Sequence, residues 1–163
     1  MAISEGRIKR EEFAHFLNCT PGVATATYFR LGSGNDTLSR AKNMNVEKTR
    51  DVTGDNEITI TKGDEQVDVT PYYAKRGTPL FDYLMELDDK DAELEETETD
   101  YVEVKAWEEG GVVLNTATRR KCYIEIGEVG GDTTGLQIPF NIHLKGVKEH
   151  GTWNPATKTF TPS

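Results

Sequence analysis

Twenty-eight carboxylates, three histidines and two cysteines supply the residue types from which acid-base, metal and nucleophilic sites are built. Their spacing decides which of those chemistries the chain can perform. His15, His143 and His150 follow no metal-ligand pattern, and His143 alternates with apolar neighbours as a polar-face strand residue does. Cys19 and Cys122 lie too far apart for a redox or metal motif and read as buried thiols. The run Asp51 to Glu57 is rich in oxygen ligands but lacks the twelve-residue calcium-loop order with its glycine at position six. Gly32-Ser33-Gly34 lacks the third glycine and the strand-to-helix setting of a dinucleotide loop, and no Gly-Lys-Ser/Thr phosphate loop occurs. Carboxylates are numerous enough to place a pair for glycoside hydrolysis, yet abundance selects no pair. The expectation is a protein that is not an enzyme, with no catalytic residues, no metal and no cofactor.

The elements that position these residues are mostly strands. Leu136, Ile138, Phe140, Ile142 and Leu144 alternate with polar residues, which marks one face of a strand. Pro139 within it cannot donate to a ladder and predicts an edge position or a bulge. Val102, Val104 and Ala106 form a second alternation, and Cys122, Ile124 and Ile126 a third. Glu109-Gly110-Gly111 is a turn that makes a hairpin of 101–108 and 112–118, and Gly130-Gly131-Asp132 joins 119–128 to 136–145. Weaker strand signals occupy 23–31, Met44 and Val46, Ile58 and Ile60, and Val67 and Val69. Between two of these, residues 47–57 are polar and turn-rich and read as a long loop at a hairpin tip. Helical spacing is clear once: Thr78 as cap, Pro79 at the first position, then Leu80, Phe81, Leu84 and Met85 predict a helix over about 79–87. Ile8 to Leu17, with Phe13, Phe16 and Leu17 on one side, predicts a second short helix. The sum is one mainly β domain over 1–163, a β-sandwich or barrel of about seven or eight strands with a flanking α-helix.

The formal charge of −9 is concentrated. From Glu86 to Asp100 nine acids face one base, Lys90, so that segment holds −8 and the other residues only −1. An acidic, solvated loop over about 88–99 follows, and no Lys/Arg cluster with interleaved aromatics offers a nucleic-acid face. No stretch approaches the roughly 20 consecutive apolar residues of a membrane span, and the opening Met-Ala-Ile-Ser-Glu-Gly-Arg lacks the apolar region of a secretory signal. Synthesis and folding in a cytoplasm are expected.

The run Arg119 to Ile126, the turn Gly130 to Thr133, the strand Leu136 to Leu144, the segment Lys145 to Asn154 and the closing Lys158-Thr159-Phe160 together resemble the major tail tube proteins of long-tailed bacteriophages and related prophages. The order of the first half is also similar: an N-terminal arm of about 1–21, a hairpin with its loop at 47–57, then the helix. That resemblance implies a structural virion protein of the tail, made in the bacterial host cytoplasm, whose homohexameric rings stack into a tube that conducts the DNA genome. It implies contacts with itself and with other tail proteins (tape measure, tail terminator, baseplate or tip), and passage of DNA without specific binding. A ring needs an interface that closes and a stack needs one that does not. Free strand edges suit the first, and the loop residues Arg50, Asp51, Val52, Thr53, Asp55 and Asn56 suit the second. A basic bore would hold DNA electrostatically, so strands near 39–48, 57–70 and 119–128 are expected to line a neutral or acidic lumen, with Glu57 and Glu125 as candidates. The acidic 88–99 loop is expected outside or at a ring edge.

The alternative is a monomeric β-sandwich binding module of carbohydrate or adhesin type, with Trp107, Tyr123 and Trp153 as a sugar platform. A tail-completion protein of similar fold would form one ring without polymerising.

Overall fold

The computed structural model describes residues 6–163; residues 1–5 of the expected N-terminal arm lie outside the described part. A 3-10 turn at Arg10–Glu12 leads into β1 (Phe13–Asn18), β2 (Tyr28–Arg30), β3 (Arg40–Ala41), β4 (Asn45–Arg50), β5 (Asn56–Thr61) and β6 (Gln66–Val69). Helix α1 (Pro79–Asp89) and a 3-10 turn at Leu94–Thr97 follow. The second half is β7 (Glu98–Lys105), β8 (Glu108–Glu109), β9 (Val112–Val113), β10 (Thr116–Ile126), β11 (Gly130–Asp132), β12 (Gly135–Gln137), β13 (Phe140–Asn154) and β14 (Thr159–Pro162). One antiparallel sheet, ordered β2-β1-β7-β10-β13-β6-β3 with β14 beside the end of β13, curls into a half-barrel. This is the mainly β architecture with one α-helix that alternation predicts.

The two faces of the sheet hold separate cores. Leu17, Tyr101, Cys122, Ile124, Ile142 and Val67 point to the face that α1 covers with Leu80, Tyr83, Leu84 and Leu87. Those helix positions recur at three and four residues, so the buried stripe is rotated from the predicted one, with Phe81 and Met85 on its flank. Thr78 occupies the cap position, but its hydroxyl donates back to the Lys75 carbonyl at 2.7 Å instead of capping. On the opposite face, Phe16, Tyr28, Val102, Val104, Ala117 and Trp153 form a second core. β10 pairs with β7 in unbroken register, so plain alternation sends Ala117 and Cys122, an odd number of residues apart, to different cores. The irregularity opposite Arg119 to Lys121 puts its extra residues on β13, between Lys145 and Glu149.

Three expectations are corrected. Residues 8–17 do not form a helix: 13–18 are β1, an interior strand between β2 and β7. It is buried on both faces, and such a strand shows a continuous apolar run whose spacing also fits a helix. For the same reason the stretch 1–21 is not wholly an arm. Pro139 lies in the break between β12 and β13, and β13 is interior, flanked by β10 and β6. The missing N–H is accommodated by ending one strand and starting the next, and the Pro139 carbonyl accepts from Gly127 N–H at 2.9 Å.

Candidate assembly surfaces

β4 and β5 pair with each other and join no other sheet among the described residues, and every residue in them is exposed. The β-branched residues Val46, Ile58, Ile60, Thr49, Thr59 and Thr61 favour this extended ribbon. Directly opposed residues share a face. The register Val46 to Ile60, Lys48 to Ile58 and Arg50 to Asn56 therefore gathers three apolar side chains and two cations on one face. Glu47, Glu57, Thr49, Thr59 and Thr61 share the other. At the tip, Asp51 Oδ1 accepts from the Thr53 hydroxyl at 2.6 Å and from the N–H groups of Thr53 at 2.9 Å and Asp55 at 3.0 Å. The Thr53 hydroxyl, followed by the backbone donors, holds the Asp51 carboxyl below its ordinary range. Arg50 Nε donates to Asn56 Oδ1 at 2.9 Å, and Val52 is fully exposed. The six candidate residues of the loop are thus brought together at one end of the ribbon. Most of 47–57 is strand and not loop; only 51–55 turn.

The root of the ribbon is tied to the sheet by buried charge. Arg40 enters the ribbon and Glu65 leaves it, and Arg40 Nη1 lies 2.9 Å from Glu65 Oε1. Arg40 Nε lies 2.8 Å from Glu103 Oε1 on β7, and Arg120 of β10 contacts the second oxygen of Glu65 and donates to the Gly146 carbonyl at 3.2 Å. Glu65, Glu103 and Arg120 are buried. Two guanidiniums and two carboxylates balance, which such burial requires; removing one member would cost about 3–5 kcal/mol by stranding its partner. Burial raises the Glu103 carboxyl, with Arg40 opposing, and burial and Arg40 lower Arg120.

His15 extends this cluster. Arg10 Nη2 sits 2.7 Å from His15 Nε2, and a guanidinium only donates, so Nε2 accepts and Nδ1 carries the proton toward the Tyr101 hydroxyl. Burial, then Arg10, Arg40 and Arg30, lower the His15 pKa to about 4. Its ring is neutral at pH 7, and the 3.6 Å approach of Nδ1 to Glu103 is a polar contact and not an ion pair.

The sheet face opposite α1 is polar where β7, β10, β13 and β6 run side by side. Pairing sets Glu98, Tyr123, His143 and Gln66 in one row and Glu125, Asn141 and Asp68 in the next. Lys145 Nζ lies 2.9 Å from Glu98 and Lys121 Nζ 2.9 Å from Asp100, so these charges cancel. Asp68 and Glu125 keep theirs. Glu125 accepts from Asn141 at 2.9 Å and approaches His143 Nε2 at 3.3 Å, and these contacts, Asn141 foremost, depress its pKa. Glu57 does not join it; it projects from the ribbon. Asp68 was missed by the sequence reading, although its place between Val67 and Val69 puts it on this polar face.

The three aromatics of the sugar-platform alternative are not gathered on the surface. Trp153 is buried, with Phe16 and Tyr28 at ring distances of 4.4 and 5.5 Å. Tyr123 lies under Lys145 at 4.5 Å, and Trp107 packs at 6.4 Å from Phe13. Both cysteines are buried and free, and burial raises Cys19 to about 12 and Cys122 further.

No family model and no curated protein matches the sequence. Among solved structures, the fold is similar to a chain in the cryo-EM structure of the PVC sheath/tube terminator, in its extended state, from an extracellular contractile injection system. The TM-score is 0.52 at 12% sequence identity, and the match covers 91% of this chain and 99% of that one. At that identity the likeness is one of fold, and it spans nearly the whole of both chains.

Proposed function

We propose that this protein is a structural component of a phage-type tail, a tail tube subunit whose copies close into hexameric rings that stack into a conduit for DNA. The observation that carries the reading is the likeness of fold, along almost the full length of both chains, to the sheath/tube terminator of a contractile injection system. The projecting ribbon supports it. Strands β4 and β5 each leave an outer edge unpaired among the described residues, and such an edge accepts a neighbouring chain. The tip residues Arg50, Asp51, Val52, Thr53, Asp55 and Asn56 would reach the adjoining ring. The polar sheet face would line the bore, where Asp68 and Glu125 repel duplex phosphates so that DNA slides without binding. Glu57 would line it only if the ribbon turns its acidic face inward. Tape measure, terminator and baseplate or tip proteins would be its neighbours in the virion tail.

A second reading is favoured by the same likeness, since the matched protein is itself a sheath/tube terminator. In that case one ring would cap the tube and not polymerise. Negative-stain electron microscopy over a concentration series, with light scattering for mass, separates the two. Stacked hollow tubes are the expected result; single rings that never stack would favour the terminator. An 18.2 kDa monomer at every concentration, with saturable glycan binding, would overturn both readings and leave the binding module.

A further inference from the structure

The ribbon has a chemically sorted face and no partner in its own chain, and the same chain carries a groove of complementary character elsewhere. That groove, of about 610 Å³, lies where the end of α1 and the 3-10 turn at Leu94–Thr97 meet the last residues of β10. Leu87, Ala92, Leu94, Ile124 and Ile126 give it an apolar lining, of which Leu94 is 76% exposed. Asp88, Asp91 and Glu93 stand at its rim. None of these three is in an ion pair among the described residues, because Lys90, the one base of the segment, is held by Glu86 at 2.7 Å. The ribbon presents the converse: Val46, Ile58 and Ile60 between 52% and 59% exposed, flanked by Lys48 and Arg50, with both carboxylates of the paired strands on the far side.

We infer that the cationic apolar face of the β4–β5 ribbon of one copy seats in the acid-rimmed apolar groove of a second copy of this chain. Ile58 and Ile60 cover the exposed Leu94, and Lys48 and Arg50 meet Asp91 and Glu93. Apolar burial supplies the attraction, and the charges set orientation and exclude other placements. Ribbon and groove are different patches of one chain, so the contact is heterologous: it closes into a ring or runs on as a stack, according to the rotation it imposes. This assigns the strand faces of the ribbon, beyond its tip, to the interface. It also gives the acidic segment a role other than solubility. The inference rests on the reading of the protein as a self-assembling tail component.

The test mixes two single-cysteine variants, Ile58→Cys and Leu94→Cys, under assembly conditions with mild oxidant. The native Cys19 and Cys122 are buried and do not compete. Covalent dimers of this pair are expected to exceed by roughly tenfold those of Ile58→Cys mixed with Val147→Cys, because seating raises the effective concentration of the two thiols. Val147 is 87% exposed on β13 and serves as the control. In parallel, Lys48→Glu with Arg50→Glu should abolish assembly, and adding Asp91→Lys with Glu93→Lys in the same chain should restore it. Wild-type rings or tubes with no preferential cross-link and no charge-swap rescue would overturn the seating and leave the tail reading standing. A wild-type chain that stays monomeric at every concentration would take both down.

Discussion

His15 stays neutral inside the fold because burial and the surrounding guanidiniums refuse it a second proton. With its pKa near 4 in the fold and about 6.5 when unfolded, the unfolded chain takes up a proton below pH 6.5 that the fold does not. Its contribution is therefore full above pH 6.5 and is lost as pH falls toward 4, by up to about 3 kcal/mol. Glu103 works in the opposite sense. Its raised pKa means that stability declines as pH climbs above the ordinary carboxylate range. Replacing His15 with Gln, which can still accept from Arg10 and donate to Tyr101, should make Tm fall less steeply between pH 6.5 and 4.5 than in the wild type, as read by thermal unfolding at several pH values. On the open sheet face, Asp68→Lys with Glu125→Lys should leave the monomer folded, since both residues are exposed. Assembled tubes of that variant should retain duplex DNA at low salt and release it at high salt, whereas wild-type tubes retain none.

At the scale of elements, the ribbon depends on a root that only one residue type fits. A Cβ on Gly63 would collide with the backbone carbonyl of Asn43, where the two strands leave the sheet. Gly63→Ala should therefore splay the root and reorient the ribbon, while the sheet and α1, which do not depend on it, remain folded. The measurable outcome is a circular dichroism spectrum like that of the wild type with assembly reduced or lost. Sequence periodicity identified β10 and the first half of β13, where one face is wetter, and also β7, which keeps a polar residue, Glu103, between Val102 and Val104 although Tyr101 to Val104 are all buried; α1 shows its stripe. It failed for β1, because Phe13 to Asn18 is buried on both faces and leaves no alternation to read. It also overextended the hairpin loop. Lys48, Thr49, Arg50 and Glu57 look turn-like in sequence because both faces of the ribbon are solvated, so no apolar period marks them as strand.

For the whole molecule, the separation of charge matters more than its total. The acidic segment lies beside α1, while the cations Lys48 and Arg50 project on the ribbon, so the proposed contact between identical copies would join unlike patches. Assembly driven this way is expected to bury the ribbon amides. Hydrogen exchange at residues 45–61 should be fast at the outward-facing groups of the monomer and slow several-fold in tubes. Equal protection in both states would count against ribbon burial.

Local chemistry was readable from the chain alone because it depends only on neighbours a few residues apart. The strand pleat shows as period two from Val102 onward, Pro79 starts the helix, and nine acids between Glu86 and Asp100 place the charge. What the tertiary structure decided are relations across long separations. Arg40, Glu65, Glu103 and Arg120 carry no mutual signal in sequence; they meet because β3 pairs with β6 and β7 with β10, and burial then makes their pairing obligatory. The sorted faces of the ribbon likewise follow from register. A slip of one residue between β4 and β5 would bring Glu57 to the face of Lys48 and Arg50 and turn Ile58 and Ile60 to the face of Glu47, and only the pairing of Val46 with Ile60 keeps the cations with the apolar side chains.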